Sequence, residues 1–389
     1  MKRDPVIVSA VRTAIAKQGG ALASVPVHVF GAEVIKEAVN RANIEPYMID
    51  DVIMGNVLSG GGNIARLATL QTGISIDIPG LTIDRQCGSG INAVMLAAQA
   101  IKAGAGDVYV VGGGESMSRA PYLMDRLEKA YSPQLPRFRK FQLSPEEFGN
   151  PSMGITAENL ANKYNISREE QDQFALESQK RMARAMEEGR FDEQIVPISI
   201  PVRKGEPIIF AEDEHPRPQT TLEGLRKLAP AFVKDGSVTA GNSSGLNDAA
   251  SALVVMSREK AEQCGLQPLA VIRESAVAGV DPNIMGIGPV PATQKVLAKA
   301  GMELKEIDLI ELNEAFAAQV LACYHELDFD REKLNVNGGA IAHGHPLGAT
   351  GGILFTKAVY ELQRSGGKFG LITACIGGGQ GIATIIERE

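Results

Sequence analysis

Two of the four cysteines stand beside glycine turns. Cys87 lies in Asp84-Arg85-Gln86-Cys87-Gly88-Ser89-Gly90, between a short β-branched run and an Ala-rich helical one. A thiol at a helix start faces the positive end of the macrodipole, which lowers its pKa, and flanking glycines let a carbonyl approach the backbone. That is the setting of a nucleophile, to be weighed against a buried packing thiol. Cys375 closes an apolar run in Thr373-Ala374-Cys375-Ile376-Gly377-Gly378-Gly379, where free N–H groups in the turn could hold an oxyanion. Cys264 and Cys323 fall in helical patterns without Gly turns and read as packing residues. His343 and His345 share the Gly-rich stretch Ala340–Gly348, and Pro346 fixes the backbone after His345, which suits a positioned base. No Cys or carboxylate stands at ligand spacing beside them, so a metal pair is the weaker reading. Asn313, in Asn313-Glu314-Ala315-Phe316, opens a helix after an apolar run; it is an N-cap or an amide aimed at a ligand.

Two further patterns compete with these. Gly88-Ser89-Gly90-Ile91-Asn92-Ala93 matches the dinucleotide fingerprint, but no acidic residue closes a following strand at the right distance, and Glu115 comes late. Gly241-Asn242-Ser243-Ser244-Gly245 matches the nucleophile elbow of serine hydrolases, after a short run Val238-Thr239-Ala240 read as a strand.

The elements that must position these groups alternate along the chain. Val6-Ile7-Val8, Asp51–Met54 and Asp107–Val111 read as strands. Residues 31–43 and 86–103 read as helices, the second with Ile91, Val94, Met95 and Ala98 on one face and a stop near Gly104. Strands alternating with helices imply an α/β layered fold. The glycines cluster at 60–62, 112–114, 338–339, 351–352 and 377–379. Such clusters are expected at strand-to-turn junctions, where α/β folds build their sites.

The second half repeats the first. The stretch from Ala42 to Asn56 resembles that from Ala300 to Asn313, Leu81–Asp84 resembles Leu334–Asn337, and Val111–Gly114 resembles Ile376–Gly379, in the same order. Between the copies lies a segment richer in Pro and charge, with a capping box at Ser167-Arg168-Glu169-Glu170 and a helix carrying Phe174, Ser178, Met182 and Ala185 that ends near Gly189. The expected organisation is a first half of residues 1–117 plus 247–267, an inserted subdomain of 118–246 on that half, covering a substrate cleft, and a second half of 268–389. The site would lie at the pseudo-twofold junction.

Composition bounds the function. Over 389 residues, 44% hydrophobic and 22% charged are globular values and exclude disorder for the bulk of the chain. A net charge of −7 argues against general nucleic-acid binding, so an anionic ligand needs a local positive cluster. Four cysteines make no disulfide framework. No uncharged apolar stretch of about 18 residues occurs, so no membrane span is expected. Neither end carries an address, which leaves a reducing cytoplasmic location as the expectation.

Together, the Cys-Gly-Ser-Gly turn at Cys87, Asn313-Glu314-Ala315-Phe316, Gly344-His345-Pro346 and Cys375-Ile376-Gly377 resemble the thiolase family in order and spacing. Thr239–Asp248 and Asn335–Gly339 resemble further segments of that family, and the likeness covers nearly the whole chain, nearest to the acetyl-CoA acetyltransferase branch. It implies a duplicated five-layered αβαβα fold with an inserted loop subdomain. It implies a ping-pong Claisen reaction through an acyl-cysteine intermediate, with Cys87 as nucleophile, His345 as its base and Cys375 as the second base. An enolate hole from His345 and a water on Asn313, and an acyl hole from the N–H groups of Cys87 and Gly377, are implied with them. Arg217 and Ser244 resemble residues that contact coenzyme A; Ala315 and Phe316 resemble tunnel lining; Met153 and Met285 resemble residues around the acyl pocket. Arg226 and Lys227 read equally as solvated surface. Coenzyme A thioesters are substrates, no metal or cofactor is implied, and a homo-oligomer, dimer or tetramer, is. Many acetyl-specific members carry His-Met-Gly where this chain has Ser152-Met153-Gly154, and His343 replaces a usual apolar residue, a structural or tunnel-rim position. The alternatives are a degradative 3-ketoacyl-CoA thiolase, a condensing synthase acting on acyl carrier protein, which would want a Cys-His-His set, a non-catalytic CoA- or lipid-binding relative, and a serine hydrolase at Ser243.

Overall fold

In the computed structural model the described residues are 3–389, except 60, 128, 130, 132–134 and 140. The first half runs β1 (Pro5–Thr13), the two-residue β2 (Ala16–Lys17), α1 (Val27–Ala42), β3 (Asp51–Gly55), α2 (Ile64–Thr72), β4 (Gly80–Ile83), α3 (Ser89–Ala103) and β5 (Val108–Ser116). The intervening segment carries α4 (Met153–Tyr164), α5 (Arg168–Glu187), the short strands β6 (Ile195–Val196), β7 (Ile198–Ile200) and β8 (Ile208–Phe210), and one turn, α6 (Leu222–Arg226). The chain then returns to the first half as β9 (Asn247–Ser257) and α7 (Arg258–Gln263). The second half runs β10 (Ala270–Gly279), α8 (Pro289–Ala300), β11 (Leu309–Leu312), α9 (Ala317–Leu327), the single turn α10 (Ala340–His343), α11 (Leu347–Ser365), β12 (Phe369–Ile376) and β13 (Gln380–Arg388).

Strand pairing shows the duplication. The sheet order is β11-β12-β13-β10-β1-β9-β5-β3-β4, so from its centre β1-β9-β5-β3-β4 is matched by β10-β13-β12-β11. The counterpart of β4 is reduced to one bridge, Ile310 to Leu334. Most strand residues are buried, which is why the middles of these strands read as apolar runs. One core packs α1 and α2 on the first half of the sheet, and another packs α8 and α9 on the second. Between them α3 and α11 share a third core with residues of β5, β9, β12 and β13. The layers are therefore αβαβα.

Three expectations need correction. Gly112–Gly114 lie inside β5, not at a turn, and Gly351–Gly352 lie inside α11. Their purpose is close approach: a Cβ on Gly113 would stand 1.9 Å from the Gly348 carbonyl oxygen, and one on Gly90 2.9 Å from the Gly351 nitrogen. The match of Val111–Gly114 to Ile376–Gly379 is also out of register. Gly55 pairs with Gly113 and its counterpart Leu312 pairs with Thr373, so Thr373, not Gly378, stands in the place of Gly113. Finally, Val238-Thr239-Ala240 forms no strand, only a bridge from Thr239 to Pro230.

The inserted segment packs on both halves: β6 pairs with β1, and Val196, Ile198, Ile200 and Phe210 join the first-half core, while its helices α4 and α5 pack on the second. Leu160, Ala161, Phe174 and Ala175 join the core of Val320, Leu321 and Ile341. The expected capping box at Ser167 and Glu170 starts α5, and Asn43 and Gly104 in the left-handed region close α1 and α3. Helix α1 begins at Val27, earlier than the periodicity predicts, because Pro26 supplies the extended entry.

Candidate active site

Cys87 sits on the turn from β4 into α3. Gln86 before it holds φ at 46°, the left-handed region. The turn is braced by Arg85 N–H to Ser89 Oγ (2.8 Å), Gln86 N–H to Asp84 Oδ1 (2.7 Å) and Gly88 N–H to the Arg85 carbonyl (3.0 Å). Gly88 lets the turn sit close to Ile376, whose Cδ1 would be 2.6 Å from a Cβ there. This contact presses the turn onto the end of β12. The N–H groups of Gly377 and of Cys87 itself both point to the Cys87 sulfur.

The expected lowering of the Cys87 pKa is overturned. Burial pushes the thiol up to about 11, the two N–H groups pull it back only in part, and the carboxylates of Glu115 and Asp84 add to the rise. Half-burial under α3 and the Gly377 turn outweighs the helix end, so the resting group is a thiol that needs a base.

His345 supplies an uncharged imidazole. Burial drives its pKa down to about 4. Its Nδ1 lies 2.7 Å from Thr350 Oγ1, its Nε2 lies 3.4 Å from Asn313 Nδ2, and its backbone N–H donates to Asn247 Oδ1 at 2.9 Å. Asn313 follows β11 and ties back through its N–H to the Thr373 carbonyl (3.0 Å), while its Oδ1 is buried with no partner among the described residues. Cys87 and His345 each stand two residues before a central helix, α3 and α11, and these helices abut at Gly90, Gly348 and Gly351. The two reactive residues therefore share one end of the helix pair.

Cys375, fully buried, is the penultimate residue of β12 before the hairpin to β13, where it pairs with Gly381. Burial raises its pKa well above the usual thiol value, and the nearness of Cys87 raises it further. The two sulfurs are thus electrostatic neighbours.

An apolar wall surrounds Cys375. It forms one cluster with Ala157, Val238, Met285, Ala315 and Phe316, and Met153 packs on it. Sequence reasoning missed Leu143, whose Cδ1 would be 3.1 Å from a Cβ on Gly377, and Phe232, edge-on to Phe316 with centroids 6.0 Å apart at 81°. Both lie in loops without periodicity, so nothing in the pattern marks them. Asn247 and Thr350 were missed too, as polar residues in apolar runs.

Ser244 and Arg217 lie farther out. Ser244 N–H donates to the Ala315 carbonyl at 3.0 Å. Arg217 lines a cleft of about 230 Å³ with Gln179, His215, Thr220, Ala240 and Gly241. Arg226 and Lys227 are paired with Glu169 and Glu223, each at 2.6 Å, in keeping with solvated surface. His343 is buried and touches the Gly344 carbonyl through Nδ1 (2.9 Å), which removes the tunnel-rim option. The competing motifs fail on geometry. Ser243 Oγ donates to the Thr239 carbonyl (2.7 Å), and Gly90 is closed off by Gly351 and Gly352. Among the described residues no group of three or more His, Cys, Asp or Glu could hold a metal ion, and no helix is long and apolar enough to cross a membrane.

The comparisons agree with this geometry. The family model described as thiolase, N-terminal domain, matches residues 5–259, and that described as thiolase, C-terminal domain, matches 266–388. The chain is 50% identical to an acetyl-CoA acetyltransferase of Escherichia coli (strain K12), covering 99% of each, and 47% identical to one of Cupriavidus necator, covering 99% of this chain and 100% of that one. The crystal structure of the Bacillus anthracis acetyl-CoA acetyltransferase superposes with a TM-score of 0.95 at 47% identity, covering 99% of both chains. Human mitochondrial 3-ketoacyl-CoA thiolase in complex with CoA gives 0.93 at 44%, covering 100% of this chain and 98% of that one.

Proposed function

The chain belongs to the thiolase family, and from that premise we propose that it is an acetyl-CoA acetyltransferase, interconverting two acetyl-CoA with acetoacetyl-CoA and free coenzyme A. The observation that carries the reading is the meeting of Cys87, Cys375 and the Gly377 N–H beside the His345–Asn313 pair.

His345 takes the Cys87 proton as the sulfur attacks the thioester carbonyl carbon. The oxyanion formed is held by the N–H groups of Cys87 and Gly377, which already face the sulfur. Collapse expels coenzyme A as its thiolate, which recovers the proton from His345, and leaves acetyl-Cys87. Cys375 hands its own proton to His345 and, as the thiolate, removes a proton from the methyl carbon of a second acetyl-CoA. His345 Nε2 and a water on the unpartnered Asn313 Oδ1 hold the enolate oxygen. The carbanion attacks acetyl-Cys87, the C–S bond breaks, and acetoacetyl-CoA leaves as His345 returns the proton to the Cys87 sulfur.

The cluster of Met153, Met285, Ala315 and Phe316 around Cys375 supports a short acyl group, and Arg217 and Ser244 support the coenzyme A arm. Coenzyme A is substrate and product. Homo-oligomer formation is supported by the sheet-edge strand β4 and by exposed Tyr122, Met124 and Phe138, the last two bridged in antiparallel fashion. Four free thiols support a reducing, cytoplasmic setting. Acetyl-CoA should release a burst of one coenzyme A per chain, and acetoacetyl-CoA should be cleaved faster than 3-ketooctanoyl-CoA. The reverse preference would move the reading to the degradative 3-ketoacyl-CoA thiolases, and the lack of a burst would leave a binding protein.

A further inference from the structure

His215 belongs to none of the motifs above, yet it joins the outer cleft to the mounting of His345. Its loop is held on both sides. Asp213 accepts both Arg12 guanidinium N–H groups (2.8 and 3.0 Å) and the Ile15 N–H (2.8 Å), and the Arg217 N–H donates to Gln179 Oε1 (2.8 Å). The ring of His215 lies where a Cβ on Gly245 would stand, 2.1 Å from its Cε1, so this glycine is what admits it.

The hydrogen bonds of Asn247 settle the ring's state. Its Oδ1 accepts the His345 N–H at 2.9 Å, so its Nδ2 is the donor end, and that end gives one hydrogen to the Ala16 carbonyl at 3.0 Å. The second hydrogen faces His215 Nδ1 at 3.4 Å. Nδ1 must then be the acceptor, and the proton sits on Nε2. The Ile341 carbonyl, in the turn α10 that leads to His345, is the imidazole's backbone partner, and Gln179 Nε2 reaches the same oxygen at 3.3 Å. Gly344 presses on the other side of Asn247, since a Cβ there would stand 2.4 Å from its side chain.

We propose that His215 is a positioning residue: it holds Asn247 and the Ile341 carbonyl in place from the Arg217 cleft, and through them it aims His345 at Cys87. The inference rests on the reading of His345 as base. It assigns His215 an effect on the chemical step rather than on coenzyme A affinity alone, although its ring lines the cleft.

The experiment compares the parent enzyme with His215→Phe, which keeps a ring and loses both nitrogens, and His215→Asn, which restores an acceptor toward Asn247. Thiolysis of acetoacetyl-CoA gives kcat and KM for coenzyme A, and alkylation of Cys87 by iodoacetamide at pH 7 reports His345 support without any substrate. His215→Phe is expected to lower kcat and the alkylation rate about tenfold each, as a misaimed base does, with KM changed by less than about twofold. His215→Asn is expected to regain most of the loss. In a double-mutant cycle, adding His215→Phe to Asn247→Ala should cost little more than Asn247→Ala alone. A raised KM with unchanged kcat and alkylation, or additive losses in the cycle, overturns the proposal, and the cycle decides even if His215→Phe lowers Tm. If the parent enzyme itself gives no burst with acetyl-CoA, the thiolase reading has failed instead, and the alkylation rates still test His215.

Discussion

Asn56 and Asn313 stand at the same place in the two halves, one residue past paired strand ends, and two residues beyond the partners of those ends lie Glu115 and Cys375. The first pair is saturated. Asn56 Nδ2 donates to Ser59 Oγ (2.6 Å) and the Gly114 carbonyl (2.8 Å), and Glu115 accepts from the N–H groups of Val57, Leu58, Ser59 and Gly348. The second pair is left open. Asn313 Oδ1 has no partner among the described residues, and Cys375 receives only its own N–H. The same frame thus ties one pair into a satisfied carboxylate and leaves the other pair with buried, under-satisfied groups. Reactivity resides where the polar accounting is incomplete. The symmetry extends to Cys87 and His345, each preceded by a left-handed residue, Gln86 or Gly344.

The largest test breaks the open half outright. Cys87→Ala should abolish both the burst and turnover, by about 10⁶-fold as for other nucleophile deletions. Cys375→Ala should keep the burst and slow condensation by about 10⁴-fold, the upper range for one acid–base group. If Cys375→Ala lost the burst as well, the division of labour between the thiols would be wrong. Ser243→Ala should stay within about twofold, because its hydroxyl is committed to the Thr239 carbonyl.

The next test exchanges structure against chemistry. Glu115→Ala strands four N–H donors, two of them fully buried and two partly buried, and should cost about 3 kcal/mol of unfolding free energy in a denaturant titration. Asn313→Ala should cost about a hundredfold in kcat with little change in midpoint, since it removes the acceptor that holds the water donating to the developing enolate. Equal stability losses at both sites would erase the contrast.

A smaller effect sharpens the link between the two sulfurs. Because Cys87 raises the Cys375 pKa, Cys87→Ala should shift alkylation of Cys375 to lower pH, read by peptide mass spectrometry across a pH series. An unchanged profile would mean that burial alone sets Cys375.

Much of this was legible in the residues. Cys87, His345 and Cys375 lie next to glycine and proline turns whose types carry chemical meaning, Asn313 follows an apolar strand, and β-branched runs alternating with Ala-rich runs announce the layers. The register of the glycine clusters was not legible, because Gly113 and Gly378 are the same letter serving helix contact in one case and chain reversal in the other. Nor was the sign of the Cys87 shift, since local sequence shows a helix start but not the burial that overrides it. Leu143, Phe232, Asn247 and His215 reach the site through long-range packing, which no local period encodes.

The mildest prediction sets His343 against His345, two residues apart in one turn. Both are buried and neutral, but His345 Nδ1 and Nε2 face Thr350 and Asn313, whereas His343 Nε2 has no partner among the described residues. Burial holds the His343 pKa well below 6.5, and the cations Lys357 and Arg12 and nearby His215 hold it lower still, against the pull of the Gly344 carbonyl. As pH falls below 6.5 the unfolded chain takes up this proton and the folded chain does not, so the titration of His343 costs stability only on the acid side, on top of the pH-independent cost of its unpartnered nitrogen. His343→Leu should therefore gain about 1 kcal/mol at pH 7, by removing an unsatisfied buried nitrogen, and should flatten the fall in Tm between pH 6.5 and 5. Turnover should stay within about twofold, since the ring touches no reacting atom. A variant less stable at pH 7, with the same acid fall, would show that His343 Nε2 is satisfied after all and that the line between the two histidines is drawn in the wrong place.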